Sequence, residues 1–325
     1  MSFKPQFNTR LTVLPLMALG MAIASPSVQA QAQQQGLSLS LTLADYQEVQ
    51  DKGQKSFVLD VENDSLLLKR DDGFYTSGNH LLQRTSLLSD GVLTTYSWTI
   101  GQDLYTASDI KLKPQQLSKY DHPYAGWLYL GLQKDQTTRS GEAYSFGLEF
   151  GCFGPCAGGE WTQTHLHRLL NQPLPQAWGT ELKQEWGVVS KFAYAYPRLN
   201  LSKESDLQLR AAARLGNIFT DAGADLVWRW GALSALPSES ASFIQARLGG
   251  RLVAYNATIQ GAYFRQQELA VSPKRFVPEA ELAYQYQGAQ WQFWASIIRR
   301  GNEIEQMKNA DGAQNFAKIQ IGRRY

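Results

Sequence analysis

The feature that most constrains this chain is the length of its alternating stretches. In 206–216, Leu207, Leu209, Ala211, Ala213 and Leu215 fall on one side and Gln208, Arg210 and Arg214 on the other. In 276–286, Phe276, Ala280, Leu282, Tyr284 and Tyr286 oppose Glu279, Glu281 and Gln285, and 221–231 and 242–253 repeat the pattern. A period of two is that of a strand with two different faces, whereas a helix repeats every 3.6 residues. Runs this long match the roughly 9 to 11 residues of a tilted membrane strand and exceed the usual soluble strand of about 5 to 6.

The chain start has a different character. Lys4 and Arg10 precede an apolar stretch from Leu11 to Ala24, and Val28-Gln29-Ala30 supplies small residues for cleavage, so residues 1–30 read as a secretory signal peptide. The stretch is shorter than the roughly 20 residues a spanning helix requires, and no later segment approaches that length. Without the signal, Lys4 and Arg10 leave the 31 basic groups, giving 29 basic against 29 acidic residues. A neutral chain lacks the electrostatic footprint of a nucleic-acid partner, which excludes that class. An exported β-sandwich and an outer-membrane barrel remain.

A sandwich also alternates, but three further features select the barrel. Aromatic residues such as Trp98, Trp127, Trp186, Trp228, Trp291 and Trp294 fall in or near the strand ends, as interfacial girdles require. The chain closes on a strand-like run to the aromatic Tyr325, and charges of both signs (Lys191, Arg210, Asp225, Arg247, Glu279) suit a lumen crossed by ion pairs. The reading is therefore all-β: a twelve-stranded antiparallel transmembrane β-barrel over 57–325, with 31–56 left as an unassigned N-terminal segment. Long connections at 106–123 and 152–183 follow odd strands, and short ones at 89–91, 138–142 and 287–288 follow even strands. With both chain ends periplasmic, the long loops are extracellular. Glu160–Leu170, free of proline and glycine, reads as a short helix in one of them, with Leu166, Leu169 and Leu170 on one face.

Polar residues gather at that extracellular rim. Asn63 and Asp64 close the first strand, Thr76 opens the second, Lys111, Lys113, Asp121 and His122 stand in the loop after the third, and His165 and His167 on the loop helix. Each has an ordinary reading. Asn63, Asp64 and Thr76 suit strand-end turns, a loop-helix histidine suits a surface, and the lysines suit lipid phosphates. Asp71 and Asp72 read as a solvated loop, with calcium ligation as the alternative, and His80 reads as a lumen residue. Cys152 and Cys156 form either a disulfide, as an exporting compartment allows, or two free thiols; they resemble half a zinc site, and nothing completes it.

Read together and in order, END at 62–64 with GFYTSG at 73–78, IGQDLYT at 100–106, DHPYAGW at 121–127, GPCAGG at 154–159 with HRLL at 167–170, PQAWGTEL at 175–182 and RLGN at 214–217 carry a resemblance. The chain resembles the outer-membrane lipid A 3'-O-deacylase family over most of its mature length. The resemblance implies a twelve-stranded barrel in the outer membrane of a Gram-negative bacterium, with an extracellular site beside a loop helix. It also implies a carboxylic ester hydrolase that removes the 3'-linked acyl chain of lipid A with water as nucleophile and requires calcium (Ca2+). The implied partners are the lipid A or lipopolysaccharide substrate, outer-membrane lipids and, during biogenesis, the barrel-assembly machinery.

Carried over by position, the family's histidine falls on His167 rather than His165, its Asn-Asp pair on Asn63 and Asp64, its threonine on Thr76, and its loop lysine on Lys111, with Lys113 a competitor. A neutral imidazole would act as general base, and the oxygens of Asn63 and Asp64 suit a hard cation. The chain departs from the family at His122, where arginine is more usual, and at the two cysteines. Two other classes remain open. One is a non-enzymatic porin or structural barrel. The other is the outer-membrane phospholipase A, whose histidine shortly before Ser-Asn-Gly is missing here.

Overall fold

The computed structural model describes residues 37, 41–67 and 73–325; residues 1–30, expected to be a signal peptide, and Asp71 and Asp72 lie outside the described residues. A helix α1 (Leu43–Lys52) comes first, where the sequence offered no assignment because Val49 is its only buried residue. Twelve long strands follow: β1 (Gln54–Asn63), β2 (Phe74–Ser89), β3 (Val92–Thr106), β4 (Ala125–Thr138), β5 (Ala143–Phe153) and β6 (Glu185–Ala195) in the first half. The second half holds β7 (Ser205–Gly216), β8 (Phe219–Ala232), β9 (Ala241–Asn256), β10 (Phe276–Gln287), β11 (Trp291–Arg300) and β12 (Gln314–Arg324). The barrel thus begins at Gln54 rather than at 57, and a two-residue strand, Leu199–Asn200, flanks β7.

Every strand pairs antiparallel with its neighbours in sequence, and the ring closes where β1 meets β12, from Ser56↔Arg324 to Asn63↔Ala317. β6 also pairs with β7, so the described sheet has no free long edge. Asp90 and Gly91, both at positive φ, make the two-residue hairpin turn between β2 and β3. This turn and its even-numbered counterparts form one mouth with both barrel ends, which the general rule for such barrels makes periplasmic. The long connections 107–124 and 154–184 cross the other mouth.

The alternation sorts as expected. Leu59, Leu81, Ile100, Leu130, Leu209, Leu248 and Ile297 are exposed on the outer wall as a continuous apolar band. Inside, Arg247 bridges Asp225, Glu279 and Glu281 at 2.6 to 3.0 Å, and Lys318 bridges Asp60 and Glu62 at 2.8 Å. Two of the aromatic residues assigned to the girdles point inward instead: Trp127 is fully buried, and Trp294 lines the lumen.

Trp127 belongs to a contiguous apolar layer that crosses the lumen below the extracellular loops. Tyr75 from β2, Phe153 from β5, Val189 from β6, Phe219 from β8 and Phe316 from β12 all join it. Each such side chain contributes roughly 1.5 to 3 kcal/mol by leaving water, so the layer is a packed core and not the wall of a channel. On the periplasmic side of this layer the lumen is polar and holds a cavity of about 710 Å³ lined by residues such as Arg84, Ser97, Gln133 and Asp135.

Candidate active site

A transmembrane barrel should present only apolar side chains to lipid, yet the outer wall of β1 to β4 is polar near the extracellular mouth. Register aligns Asn63, Ser77, Leu104 and Gly126 in one row across these strands. Asn79 and Gln102 stand in the next row, with Asn79 Nδ2 donating to Ser77 Oγ at 2.9 Å. A β-bulge between Tyr75 and Ser77 turns Thr76 to the same side, where its hydroxyl lies 2.6 Å from that of Thr106. Both threonines are buried on a surface that should meet acyl chains, so something covers them.

Over the adjacent Gln102 and Leu104 lies the loop helix α2 (Gly159–Leu169), one residue offset from the expected 160–170. Cys152 and Cys156 are disulfide-bonded, with Cα atoms 5.9 Å apart, and this closes the root of the loop. Gln102 Nε2 donates to Ala157 O at 2.7 Å and to Thr162 Oγ1 at 3.1 Å, fastening α2 to β3. Two glycines permit the close seating. A Cβ at Gly126 would come within 2.8 Å of Ala157 Cβ, and one at Gly159 within 2.4 Å of the Trp178 ring.

The buried stripe of α2 is Gly159, Gln163 and His167, spaced four apart. Gln163 Oε1 accepts from Trp178 Nε1 at 2.8 Å, and Trp178 packs with Leu104, Ala107 and Tyr124. The helix is therefore inverted relative to an ordinary amphipathic one: its polar stripe is the buried one, against Trp178 and Pro173, and Leu169 and Leu170, which share a face with Leu166 by spacing, are exposed. His165 is exposed too, its Nδ1 donating to Trp161 O at 2.7 Å and its ring 4.4 Å from the Trp161 ring. His167 is 4% exposed, and its Nδ1 donates to Pro173 O at 2.5 Å.

At the end of β1, Asp64 is buried and its Oδ2 accepts from Gly73 N at 2.8 Å. Asn63 Oδ1 accepts from Ser65 N at 2.7 Å and from the Ser65 hydroxyl. Carboxylate, amide and hydroxyl oxygens without sulfur or imidazole fit a hard divalent cation such as calcium and not zinc. A second oxygen-rich group, Asp60, Glu62 and His80 in the lumen, has ligand atoms within 4.8 Å of one another. There the Lys318 ammonium already sits 2.8 Å from both carboxylates and supplies the positive charge itself.

Lys111 and Lys113 are exposed on the loop 107–124, away from these contacts. Lys111 Nζ lies 3.8 Å from Asp109, and the loop joins the segment after α2 through Gln176 N, which donates to Ile110 O at 2.9 Å. His122 is not a rim group. It is buried, stacked 5.7 Å from Tyr105, and donates from Nδ1 to Pro123 O at 2.7 Å; burial holds its imidazole below the usual histidine value.

The outer membrane protein LpxR family model matches residues 16–325. The chain belongs to that family. Its fold is also similar to the solved structure of LpxR from Salmonella typhimurium, with a TM-score of 0.67 and 21% identity over 82% of this chain and 99% of that one. Weaker likenesses reach the β domain of the Bordetella autotransporter BrkA (TM-score 0.45, 11% identity, 84% and 98% covered) and the translocator domain of NalP from Neisseria meningitidis (TM-score 0.42, 10% identity, 87% and 96% covered). None of the curated proteins matches. This LpxR-family chain is thus an outer-membrane β-barrel.

Sequence reasoning missed four members of the constellation: Thr106, Gln102, Gln163 and Glu181. The first three become visible only once strand parity assigns Gln102 to the lipid face and α2 is turned polar side inward. Glu181 lies in the quoted PQAWGTEL run and carries a buried Oε1 beside the Gly126 backbone, whose hydrogen bond partly offsets the upward push of burial. Burial, helped by the nearby charge of Glu160, pushes its carboxyl up to about 7.

Proposed function

We propose that this LpxR-family barrel hydrolyses the 3'-linked acyl ester of lipid A at the outer leaflet, with His167 as general base. The observation that carries this reading is the polar patch on the lipid-facing wall, fastened through Gln102 to a helix whose buried stripe holds that histidine. A site for a soluble substrate belongs inside a lumen or on a loop crown, whereas here the polar groups open sideways toward the layer that contains lipid A.

The chemistry balances without a covalent acyl-enzyme. A carbonyl only accepts, so the bond to Pro173 O fixes the imidazole hydrogen on Nδ1 and places the lone pair on Nε2. Nε2 takes a proton from water as the water oxygen attacks the ester carbonyl. The tetrahedral intermediate collapses, the carbon–oxygen bond to the sugar breaks, and the same proton returns to the departing sugar oxygen. The products are a fatty acid and a free 3'-hydroxyl. The hydroxyls of Thr76 and Thr106 orient the ester or donate to the oxyanion. Calcium, held by oxygens of Asn63 and Asp64, would polarise the carbonyl when bound. Lys111, exposed at the rim, suits a lipid A phosphate as a point charge.

The test is mass spectrometry of lipid A incubated with the purified protein and calcium. Loss of one acyl unit, placed at the 3' position by fragmentation, supports the reading; unchanged lipid A, or acyl release from phospholipid alone, overturns it. Labelling by a serine-directed reagent would favour the phospholipase class, since a water-attack enzyme has no nucleophilic serine to trap.

A further inference from the structure

The apolar band of the outer wall is interrupted a second time, near the periplasmic mouth. Thr85 on β2, Tyr96 on β3 and Lys134 on β4 are register partners. They share a face with the lipid-exposed Leu81, Ile100 and Leu130, because their chain neighbours Arg84, Ser86, Thr95, Ser97, Gln133 and Asp135 line the lumen. A lysine on this face would otherwise have to snorkel out of the hydrocarbon. Its side chain is instead 5% exposed, because α1 lies over it.

The contacts fix how α1 lies. Asp45 Oδ2 meets Lys134 Nζ at 2.7 Å and accepts from Tyr96 OH at 2.6 Å. Farther along, Gln50 Oε1 accepts from Thr85 Oγ1 at 3.0 Å, so α1 crosses β4, β3 and β2 along the wall. Tyr46 accepts from Trp98 Nε1 at 3.0 Å, and Trp98 is one outward position farther from the periplasmic mouth than Tyr96. The Tyr46 edge of the helix therefore faces the membrane, and Leu43, three residues before it, shares that edge and is 70% exposed. Glu48 and Lys52 stand on the other edge, paired at 2.9 Å.

We propose that α1 is an interfacial helix seated in the periplasmic leaflet of the outer membrane, with Leu41 and Leu43 among glycerophospholipid acyl chains and Asp45–Lys134 as the clip that holds it to the wall. Three observations argue for lipid as the occupant. The docking row is continuous with the apolar band, and Leu43, the exposed large apolar side chain of α1, lies on its membrane edge. The depth also fits. Tyr96 stands four residues into β3, and at about 3.3 Å per residue in a tilted strand this is about 10 Å from the mouth. A wall with an apolar band about 25 Å tall places that level near the boundary between head groups and hydrocarbon.

The two native cysteines are disulfide-bonded, so Leu43→Cys or Glu48→Cys introduces a sole free thiol for a nitroxide label. In vesicles of phosphatidylethanolamine and phosphatidylglycerol, the label at 43 should be at least threefold more accessible to molecular oxygen than to a water-soluble nickel chelate, and the label at 48 should show the reverse. Equal chelate access at both positions would mean that α1 stands in water, as a surface for a soluble partner would, and overturns the proposal. Lys134→Met and Asp45→Asn, each checked for an intact barrel by heat-dependent gel mobility, should mobilise the label at 43. An unchanged spectrum in both overturns the clip.

Discussion

His167 and Pro173 are joined by a 2.5 Å hydrogen bond from the imidazole Nδ1 to the main-chain carbonyl, across the turn that ends α2. The bond holds the ring against the loop and fixes the imidazole hydrogen on Nδ1. Removing a positioned general base costs about 10² to 10⁴ in rate. His167→Ala should therefore lose activity on that scale with the barrel assembled, while His165→Ala, which removes an exposed ring, stays within about twofold. Fatty-acid release by both variants, with heat-dependent gel mobility as the folding control, decides this; equal losses count against His167 as the base.

Thr76 and Thr106 share a hydrogen bond. Either one replaced by valine removes this bond, but the remaining hydroxyl keeps a main-chain acceptor, Phe74 O at 3.4 Å for Thr76 and Ala107 O at 3.3 Å for Thr106, so the cost in stability is about 1 kcal/mol or less. If the hydroxyls serve the ester, Thr76→Val should lower kcat at least tenfold with little change in unfolding. A variant that unfolds more readily in urea yet turns over normally would mean that the pair is structural.

Asp64 offers a test of the metal. Chelation should abolish turnover reversibly, and Asp64→Asn, which keeps one oxygen and loses the charge, should raise the calcium concentration for half-maximal activity about tenfold or more. A titration curve that overlays the parent excludes Asp64 from the cation site.

Glu181 predicts a direction with pH. Its folded value of about 7 lies above the ordinary carboxyl value, so the folded loop keeps a proton that the unfolded chain gives up from about pH 4.5 upward. This favours folding fully at low pH, and the contribution is lost as pH rises through 7. Relative to the parent, Glu181→Gln should protect the 171–184 loop from proteolysis at pH 8 and make little difference at pH 5. Protection that is the same at both pH values would refute the shifted carboxyl.

The barrel was legible because lipid and lumen impose their pattern on every second residue, and the twelve strand positions follow from it within about three residues. Where that pattern lapses, legibility lapses too. α1 has one buried residue and no apolar stripe, so nothing in 43–52 announced it. In α2 the lack of proline and glycine identified a helix and the spacing grouped Leu166, Leu169 and Leu170, but nothing in the sequence announced that the stripe of Gly159, Gln163 and His167 would be the buried one. Trp127 was assigned to a girdle by type, and only its parity with Ala125 sends it inward. Of the candidate site, Asn63, Asp64, Thr76 and His167 were proposed from sequence motifs, whereas Gln102, Thr106 and Gln163 join the candidates only through strand pairing and helix docking.

The aromatic and aliphatic layer from Tyr75 to Phe316 has a consequence for the cell. Among the described residues that layer stands between the polar lumen and the extracellular loops, where a porin would keep an open path for antibiotics or bile salts. Remodelling of a cell's surface lipid can then be turned up without opening such a path through this barrel.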